Sequence, residues 1–406
     1  MKIITPDAIL SPTLLLKGES IAFDTKIEAI APLQELQSNY PEAEIIKLPK
    51  NSLIMPGLIN PHVHLEFSAN KTELSYGSFL PWLHSVIEKR EELINGCDSI
   101  CMQKAIQEML SNGITAFGAV SSYALDLEAA AAAPQKVVFF SELIGSQAVM
   151  ADTLYGDFLS RVEAAKAIKR EGFYPAVAIH SPYSVHPVLI KRALQMAHDE
   201  GLLTTAHFME STAERQWLDN SEGEFKAFFS DFLQQSQSVS TAEEFLELFK
   251  GYPTLMTHVV HADDKELETL QKSGHTIIHC PVSNRLLGNG AIDLDKLESK
   301  NIPWVCGTDG LSSNYTLDLF EEMKIALFMH SDTPLLPLAK RLLESATIHA
   351  AKALNLNSGE ITVGKDADML VIQLDATPNE QLPLHLLLHH YSIEKIFING
   401  TAVKGA

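Results

Sequence analysis

Eight short, almost continuous apolar runs recur along the middle of the chain, and segments with helical periodicity separate most of them. The runs cover residues 53–59, 113–120, 137–143, 175–180, 202–207, 254–261, 276–281 and 302–309. Such runs are typical of parallel strands that are buried on both faces of a sheet. Eight of them predict an α/β fold, a (β/α)₈ TIM barrel.

A doubly wound sheet is the alternative arrangement of alternating strands and helices. That fold usually carries a Gly-rich phosphate fingerprint after its first strand, and none follows the first apolar run. Gly288-Asn289-Gly290 is an isolated Gly-x-Gly without the rest of the motif. The barrel is therefore the preferred prediction.

The two ends of the chain differ from its middle. Short apolar stretches between turn-prone residues fill residues 1–50, and a similar pattern follows residue 357 and ends in a hairpin around Gly400. We expect residues 1–55 and 357–406 to build one small composite β-sandwich domain, because chain ends often lie close together. Residues 56–356 form the barrel. The barrel carries a helical insertion at about 211–252. This insertion is either a lid over the mouth or a set of additional helices without a functional role.

Charge and composition exclude several classes of partner. The 406 residues are 46% hydrophobic and 20% charged, which is typical of a globular enzyme. The net charge of -20 argues against nucleic acid and against an anionic membrane surface, since both attract basic proteins. Four scattered cysteines, no secretory leader and no apolar run of membrane-spanning length predict a cytoplasmic protein with reduced thiols.

Polar side chains stand at or just beyond the ends of several apolar runs. They are His62, His64, His180, His207, His258, Ser283, Asn284 and Asp309. In a barrel the carboxyl ends of all strands meet at one mouth, where active sites lie. A single His-x-His pair is more often structural, but His or Asp at five strand ends indicates one shared site.

The histidine pair suggests a metal centre. His62 and His64 are two residues apart, so a strand would point both side chains to the same face. With His207 and Asp309 they could offer three imidazoles and one carboxylate to a divalent ion. Such an ion lowers the pKa of a bound water to about 7 and so makes hydroxide available.

Glu210 and His258 are the acid–base candidates. Glu210 lies three residues after His207, beside the metal site, and can act as the general acid and base. Asp309 can accept the proton of the water, while His258 can hold the attacking oxygen and stabilise its charge. His261 is a rival to His258 on the same run, but His258 follows the apolar residues more directly.

Several spaced motifs resemble those of the amidohydrolase superfamily. They are residues 56–64, 180–184, 207–210, 280–284, 307–310 and 358–368. The resemblance is to the branch of aromatic-base deaminases and triazine (ATZ/TRZ) hydrolases, and it covers nearly the whole chain. Members of this branch are often homodimers.

The resemblance implies a mononuclear metal site, with Zn²⁺ preferred over Fe²⁺. The implied metal ligands are His62, His64, His207 and Asp309, and the implied catalytic residues are Glu210, His258 and Asp309. No lysine follows Ile179-His180, so the bridging carbamylated lysine of binuclear members is not expected. His180 matches a position that contacts substrate in nucleoside-processing members.

A narrower resemblance is to the aminofutalosine deaminases of menaquinone-making epsilon-proteobacteria. It rests on residues 65–71, 76–83, 283–287 and 308–314. It implies conversion of 6-amino-6-deoxyfutalosine, a purine nucleoside with a benzoate-bearing arm, to futalosine and ammonia. The predicted substrate contacts are His180, Ser283, Asn284 and Arg285, with Arg285 or Lys71 facing the carboxylate.

Other functions share the same metal and catalytic residues. Deamination of adenosylhomocysteine, methylthioadenosine, adenosine or guanine and dechlorination of a triazine are the enzymatic alternatives. An inactive barrel that only binds a ligand is the alternative from another class, and the presence of all predicted catalytic residues argues against it.

Overall fold

The computed structural model describes residues 1–11, 14–70 and 73–404. Its strands are β1 (Lys2–Thr5), β2 (Ala8–Leu10), β3 (Leu15–Lys17), β4 (Ser20–Phe23), β5 (Ile27–Ala31), β6 (Glu44–Lys47), β7 (Ser52–Pro56), β8 (Leu58–Val63), β9 (Ile114–Ser121), β10 (Lys136–Leu143), β11 (Phe173–Ile179), β12 (Thr204–Phe208), β13 (Leu255–His258), β14 (Thr276–His279), β15 (Trp304–Cys306), β16 (Met369–Gln373), β17 (Ser392–Ile398) and β18 (Thr401–Lys404).

The helices surround these strands. They are α1 (Leu33–Asn39), α2 (Phe79–Glu88), α3 (Arg90–Gly96), α4 (Ser99–Ser111), α5 (Leu127–Ala132), α6 (Ala151–Ala167), α7 (Pro187–Asp199), α8 (Thr212–Asn220), α9 (Glu224–Leu233), α10 (Ala242–Leu248), α11 (Asp264–Lys272), α12 (Pro281–Leu286), α13 (Leu294–Ser299), α14 (Leu319–Met329), α15 (Leu335–Ser345), α16 (Ile348–Ala353) and α17 (Leu382–Leu388), with a 3₁₀ turn at Ala148–Met150.

Strands β8 to β15 form one parallel sheet in which each strand pairs with the next along the chain. The last strand also reaches the first, since the backbone N–H of Asp309 donates to the carbonyl of His62 (3.1 Å). The sheet is therefore a nearly closed barrel, and the helices lie around it. This confirms the predicted (β/α)₈ fold.

Burial on both faces explains why the barrel strands read as continuous apolar runs. Every residue of β9 and of β10 is buried. Val138 and Phe140 of β10 pack with the residues that fill the barrel interior, whereas Val137 and Phe139 belong to the larger core between the sheet and the helices. Alternate residues of one strand thus serve two different cores.

The first apolar run is divided between two sheets. Residues up to Pro56 belong to β7, which lies outside the barrel, and the barrel begins at Leu58. Gly57 joins them, and a Cβ atom there would lie 2.1 Å from Thr115 Oγ1. Only glycine allows the chain to pass so close to its neighbour.

Both chain ends contribute to the sheets outside the barrel. One sheet has the strand order β5-β4-β1-β6, and the other has the order β18-β17-β16-β7-β2-β3. In the second sheet β7 pairs with β2 from the amino-terminal part and with β16 from the carboxy-terminal part. The rings of Phe23 and Phe397, 5.3 Å apart, join the two parts in one core. The exact domain limits, near residues 56 and 356, stay a prediction.

A buried ion pair connects the barrel to these outer sheets. Lys136, the first residue of β10, places its Nζ 2.7 Å from Asp366 Oδ2 and 2.6 Å from Asp368 Oδ2. Asp368 also accepts a hydrogen bond from the backbone N–H of Asn399 (2.8 Å). The lysine and both carboxylates are therefore paired.

The segment predicted as a helical insertion contains α8, α9 and α10. Phe225 and Phe229 of α9 are buried, and the ring of Phe225 lies 4.8 Å from that of Tyr183, close to the carboxyl end of β11. The insertion thus packs on the mouth side of the barrel. None of the helices in the described part of the chain combines the length and the apolar character that a membrane crossing requires.

Candidate active site

Three histidines converge at the mouth of the barrel. His62 and His64 stand at the end of β8, and His207 is in β12. One ring nitrogen from each lies within 4.8 Å of the other two. Asp309 follows β15, and its Oδ1 lies 3.6 Å from His62 Nε2 and 3.7 Å from His64 Nε2. The structure therefore brings together all four residues that the sequence suggests as metal ligands.

The protonation states suit a metal ion. Burial lowers the pKa of His64 and His207, so both rings are neutral and keep a lone pair. Burial alone would raise the pKa of Asp309, but its interaction with His62, 3.6 Å away, followed by those with His64 and His258, holds it well below its usual value. Together the four side chains offer three imidazoles and one carboxylate as donors.

Unused atoms also indicate that a ligand belongs here. His62 Nε2 is buried and has no hydrogen-bond partner among the described residues. Nδ1 of His207 bonds to the carbonyl of His180 (2.8 Å), which leaves Nε2 for a metal. Both Asp309–histidine distances are shorter than two metal–ligand bonds of about 2.1 Å placed end to end. The residues present fit one divalent ion.

Glu210 and His258 lie beside this group. His258 Nε2 is 3.6 Å from Glu210 Oε1 and 4.0 Å from Asp309 Oδ2. Burial, followed by the charges of Asp309 and Glu214, raises the pKa of Glu210 well above its usual value. Burial lowers the pKa of His258 to about 4. The raised pKa of Glu210 favours its protonated form, which can donate a proton, and the ring of His258 is neutral at neutral pH.

The backbone turns sharply where these residues leave their strands. Four residues without a glycine's freedom have positive φ: Met209 (49°), His258 (73°), Val259 (53°) and Asp309 (58°). Such conformations cost about 1–3 kcal/mol each and persist where surrounding contacts hold them. Here they lie at or directly beside Glu210, His258 and Asp309, where the chain leaves the barrel strands.

The four residues that are predicted to contact substrate differ in their burial and in their hydrogen-bond partners. His180 is half-buried and bonds through Nδ1 to Ser184 Oγ (2.6 Å). Ser283 Oγ donates to Asp309 Oδ2 (2.8 Å), and Asn284 Oδ1 lies 3.0 Å from His258 Nδ1. Arg285 is exposed on α12 at the mouth. Their contact with substrate stays a prediction.

One further candidate from the sequence, His261, lies outside this group, and the other is not among the described residues. His261 lies beyond His258, and its backbone N–H bonds to the carbonyl of Met209 (2.9 Å). No ion pair between His261 and the catalytic carboxylates is present in the described part of the chain. Lys71 falls outside the residues that the structure describes.

Sequence reasoning missed two residues that hold Glu210. Glu214 accepts hydrogen bonds from the backbone N–H groups of Met209 (2.9 Å) and Glu210 (2.7 Å). Asn289 is buried, and its Nδ2 donates to Glu210 Oε1 (3.3 Å). The Ser-x-x-Glu spacing from Ser211 to Glu214 is a capping signal that could have drawn attention to the first.

The family comparison agrees with this geometry. Residues 53–403 match the profile described as the amidohydrolase family. The chain belongs to the amidohydrolase family, and the prediction of a hydrolase that acts on C–N bonds is confirmed.

Individual relatives are similar over almost their whole length. The aminodeoxyfutalosine deaminase of a Nitratiruptor species is 49% identical over 402 residues, which is 98% of either chain. The adenosine deaminase of Helicobacter pylori is 35% identical and covers 96% of this chain and 95% of its own. The crystal structure of Helicobacter pylori aminofutalosine deaminase with methylthio-coformycin has a TM-score of 0.94 and 33% identity. It covers 99% of this chain and 100% of that chain.

Proposed function

We propose that this amidohydrolase is a metal-dependent deaminase that converts 6-amino-6-deoxyfutalosine to futalosine and ammonia. The observation that carries the proposal is the 49% identity, over 98% of both chains, to a relative named for this substrate. The acid–base group beside a histidine cluster is the machinery that such a reaction needs.

The donor set of three imidazoles and one carboxylate supports Zn²⁺ as the metal, and Fe²⁺ is the alternative because imidazole suits both. A divalent ion held by His62, His64, His207 and Asp309 would supply hydroxide near neutral pH by lowering the pKa of a bound water. The remaining chemistry belongs to the side chains of the chain itself.

Hydrolytic deamination forms a C–O bond at C6 of the purine and breaks the C6–N bond of its amino group. Glu210, whose raised pKa favours the protonated form, donates to ring nitrogen N1 as C6 is attacked. Asp309, ionised because of its lowered pKa, accepts the proton of the attacking water. A proton then passes to the amino nitrogen, which leaves as ammonia.

His258 holds the attacking oxygen in this scheme. When Nδ1 donates to Asn284 Oδ1 (3.0 Å), the neutral ring carries no proton on Nε2. Nε2 can then accept a hydrogen bond from the water and fix its position beside Asp309. Asn284 thus acts by setting the tautomer of His258.

The distal carboxylate of the substrate needs a cation at the mouth, and Arg285 is the candidate. It is exposed on α12, and it forms no ion pair with any described residue. A free guanidinium can bind a carboxylate through two parallel hydrogen bonds. Replacing Arg285 by Met should raise KM for the benzoate-bearing nucleoside and leave KM for adenosine unchanged.

The decisive experiment measures ammonia release from a panel of substrates by metal-loaded protein. The panel contains aminodeoxyfutalosine, adenosylhomocysteine, methylthioadenosine, adenosine and guanine. Glu210→Gln serves as the inactive variant, and Glu222→Gln, an exposed residue just after α8, serves as the matched control.

We expect aminodeoxyfutalosine to have the highest kcat/KM, with wild-type rates in the Glu222→Gln control. Adenosine is the second candidate, because a relative with 35% identity is named adenosine deaminase. A higher kcat/KM for adenosine would replace the proposed substrate but keep the reaction. No ammonia from any member of the panel would refute the proposal.

A further inference from the structure

Glu142 is a buried carboxylate that the mechanism above does not use. It lies near the carboxyl end of β10 and is 1% exposed. Val138 and Phe140, four and two residues earlier, fill the barrel interior, so the alternation of the strand directs Glu142 to the same side, at the mouth.

Only half of this carboxylate is paired. Ser122 Oγ donates to Glu142 Oε2 (2.5 Å). No donor among the described residues reaches Glu142 Oε1, although this oxygen is buried. A buried oxygen without a donor is costly, so Oε1 is an acceptor available to a hydrogen-bond donor on a bound molecule.

The carboxylate of Glu142 lies beside the catalytic centre. A carboxylate oxygen of Glu142, a ring nitrogen of His180 and a ring nitrogen of His207 all lie within 4.8 Å of one another. Glu142 and His180 come from β10 and the end of β11, whereas Glu210, His258 and Asp309 lie at or just after the ends of β12, β13 and β15. The two groups therefore line different sides of one mouth.

A second metal ion is a poor occupant for the Glu142 side. Nδ1 of His207 is bonded to the carbonyl of His180 (2.8 Å), so only Nε2 remains as a ligand. The group of His62, His64 and His207 needs that nitrogen for its own ion. One imidazole nitrogen cannot coordinate two ions.

The chemistry of a purine nucleoside identifies a better occupant. The ring nitrogens of adenine are acceptors that a carboxylate oxygen would repel. Its one donor, the 6-amino group, must lie beside Glu210 for the reaction. The remaining donors of the nucleoside are the hydroxyl groups of its ribose.

We propose that Glu142 binds a ribose hydroxyl of the substrate through Oε1 and so makes the enzyme selective for ribonucleosides. The inference rests on the proposed function and adds to it the group that recognises the sugar. Glu142 is then a specificity-determining residue, held in place by Ser122.

The test compares aminodeoxyfutalosine with its 2′-deoxy and 3′-deoxy analogues. Each kcat/KM is measured for the wild type, Glu142→Met, which keeps the length but has no oxygen acceptor, and Glu142→Gln, which keeps an acceptor without the charge. Glu128→Gln, exposed on α5, is the matched control. The thermal unfolding and metal content of every variant are recorded.

We expect the wild type to prefer the ribonucleoside over one deoxy analogue by about 10- to 100-fold, as for a hydrogen bond to a charged group. In Glu142→Met this preference should fall to about threefold or less, because only the ribonucleoside loses rate. The preference of Glu142→Gln for the ribonucleoside should lie between those of the wild type and Glu142→Met. Glu128→Gln should show the wild-type preference.

A binding measurement supplies a readout that does not depend on turnover. In the inactive Glu210→Gln background, calorimetry should show the same preference of the protein for adenosine over one deoxyadenosine. Adding Glu142→Met should remove that preference. Metal content should be the same with and without the Glu142 substitution.

Three results would overturn the inference. The wild type could treat ribose and both deoxyribose substrates alike. Glu142→Met could slow all substrates by the same factor, which would indicate a structural role. The wild type could hold one more equivalent of metal than Glu142→Met. In contrast, a wild type that deaminates no adenine nucleoside would refute the proposed function itself. This outcome is measured on the wild type alone, so it is distinguished from a failure of the inference about Glu142.

Discussion

Strand β10 carries a buried ionisable side chain at its start and another near its end, and the two side chains are paired differently. Lys136 at its start is paired with Asp366 and Asp368. Glu142 near its end keeps one oxygen without a partner, as His62 and Asn284 at the same mouth each keep one nitrogen, within the described residues. The start of the strand uses charge to hold two parts of the chain together, whereas the end keeps polar atoms available for a ligand.

The largest expected effect concerns the mouth. Glu210→Gln should lower kcat by about 10²- to 10⁴-fold, because the variant cannot transfer the proton. The free energy of unfolding should stay the same or rise, since an ionisable group leaves a buried position. Steady-state ammonia release and urea unfolding measure the two quantities. A large loss of stability would mean that the mouth also supports the fold.

The second effect concerns the other end of β10. Lys136→Met should lower the free energy of unfolding by about 3–5 kcal/mol, because it leaves buried Asp368 without its cation. The activity per folded molecule should not change, since Lys136 is remote from the catalytic group. The double variant Lys136→Met/Asp368→Asn should recover part of the loss, and equal stability of the single and double variants would contradict the pairing.

The third effect is a pH dependence of stability at the start of β14. Burial lowers the pKa of His275 from 6.5 to about 4. The unfolded chain therefore binds a proton between these values that the folded chain does not. The contribution of His275 is complete above pH 6.5 and is lost as the pH falls towards 4, with a slope of about 1.4 kcal/mol per pH unit.

His275→Gln isolates this contribution, because glutamine can still accept the hydrogen bond from the backbone N–H of Thr254. Unfolding of the wild type and the variant is compared across the same pH range. As the pH falls, the free energy of unfolding of the variant should decrease less steeply than that of the wild type. The difference in slope should correspond to about one proton. Parallel curves would show that His275 does not titrate in this way.

The smallest effect is that of Asn289→Ala. Loss of the hydrogen bond to Glu210 should reduce kcat/KM by about 2- to 10-fold, the value of an ordinary neutral hydrogen bond. Asn220→Ala, on the exposed surface of α8, is the control. A loss as large as that of Glu210→Gln would make Asn289 part of the acid–base chemistry and not a support for it.

Much of the fold and of the metal group could be predicted from the sequence. Buried parallel strands leave continuous apolar runs, and the period of two places His62 and His64 on one face. Strand ends and the family resemblance together identify His207, Glu210 and Asp309. Pairing of β7 with both β2 and β16 is beyond the sequence pattern, because it joins segments that are far apart along the chain.

The supporting residues are harder to predict because they act through the geometry of other side chains. Asn289 lies in an isolated Gly-x-Gly that carries no motif, yet that turn places its amide on Glu210. Glu142 lies inside an apolar run and therefore matches no motif. The two-residue alternation of a strand nevertheless places it on the same face as Phe140 and nearer to the mouth. Asn284 is expected from the sequence to contact substrate, and the structure shows its contact with His258.

The shared outer sheet also has a consequence for the order of folding. The side chain of Gln373 in β16 donates to the carbonyl of Lys50 just before β7, and the two residues are 323 positions apart. During synthesis, β2 and β7 leave the ribosome long before β16 does, so the edge of β7 that pairs with β16 has no neighbour until β16 has been made. Exposed strand edges favour aggregation, and contacts between distant residues form slowly. Nascent chains that stop before β16 should therefore depend on chaperones more than the finished enzyme does.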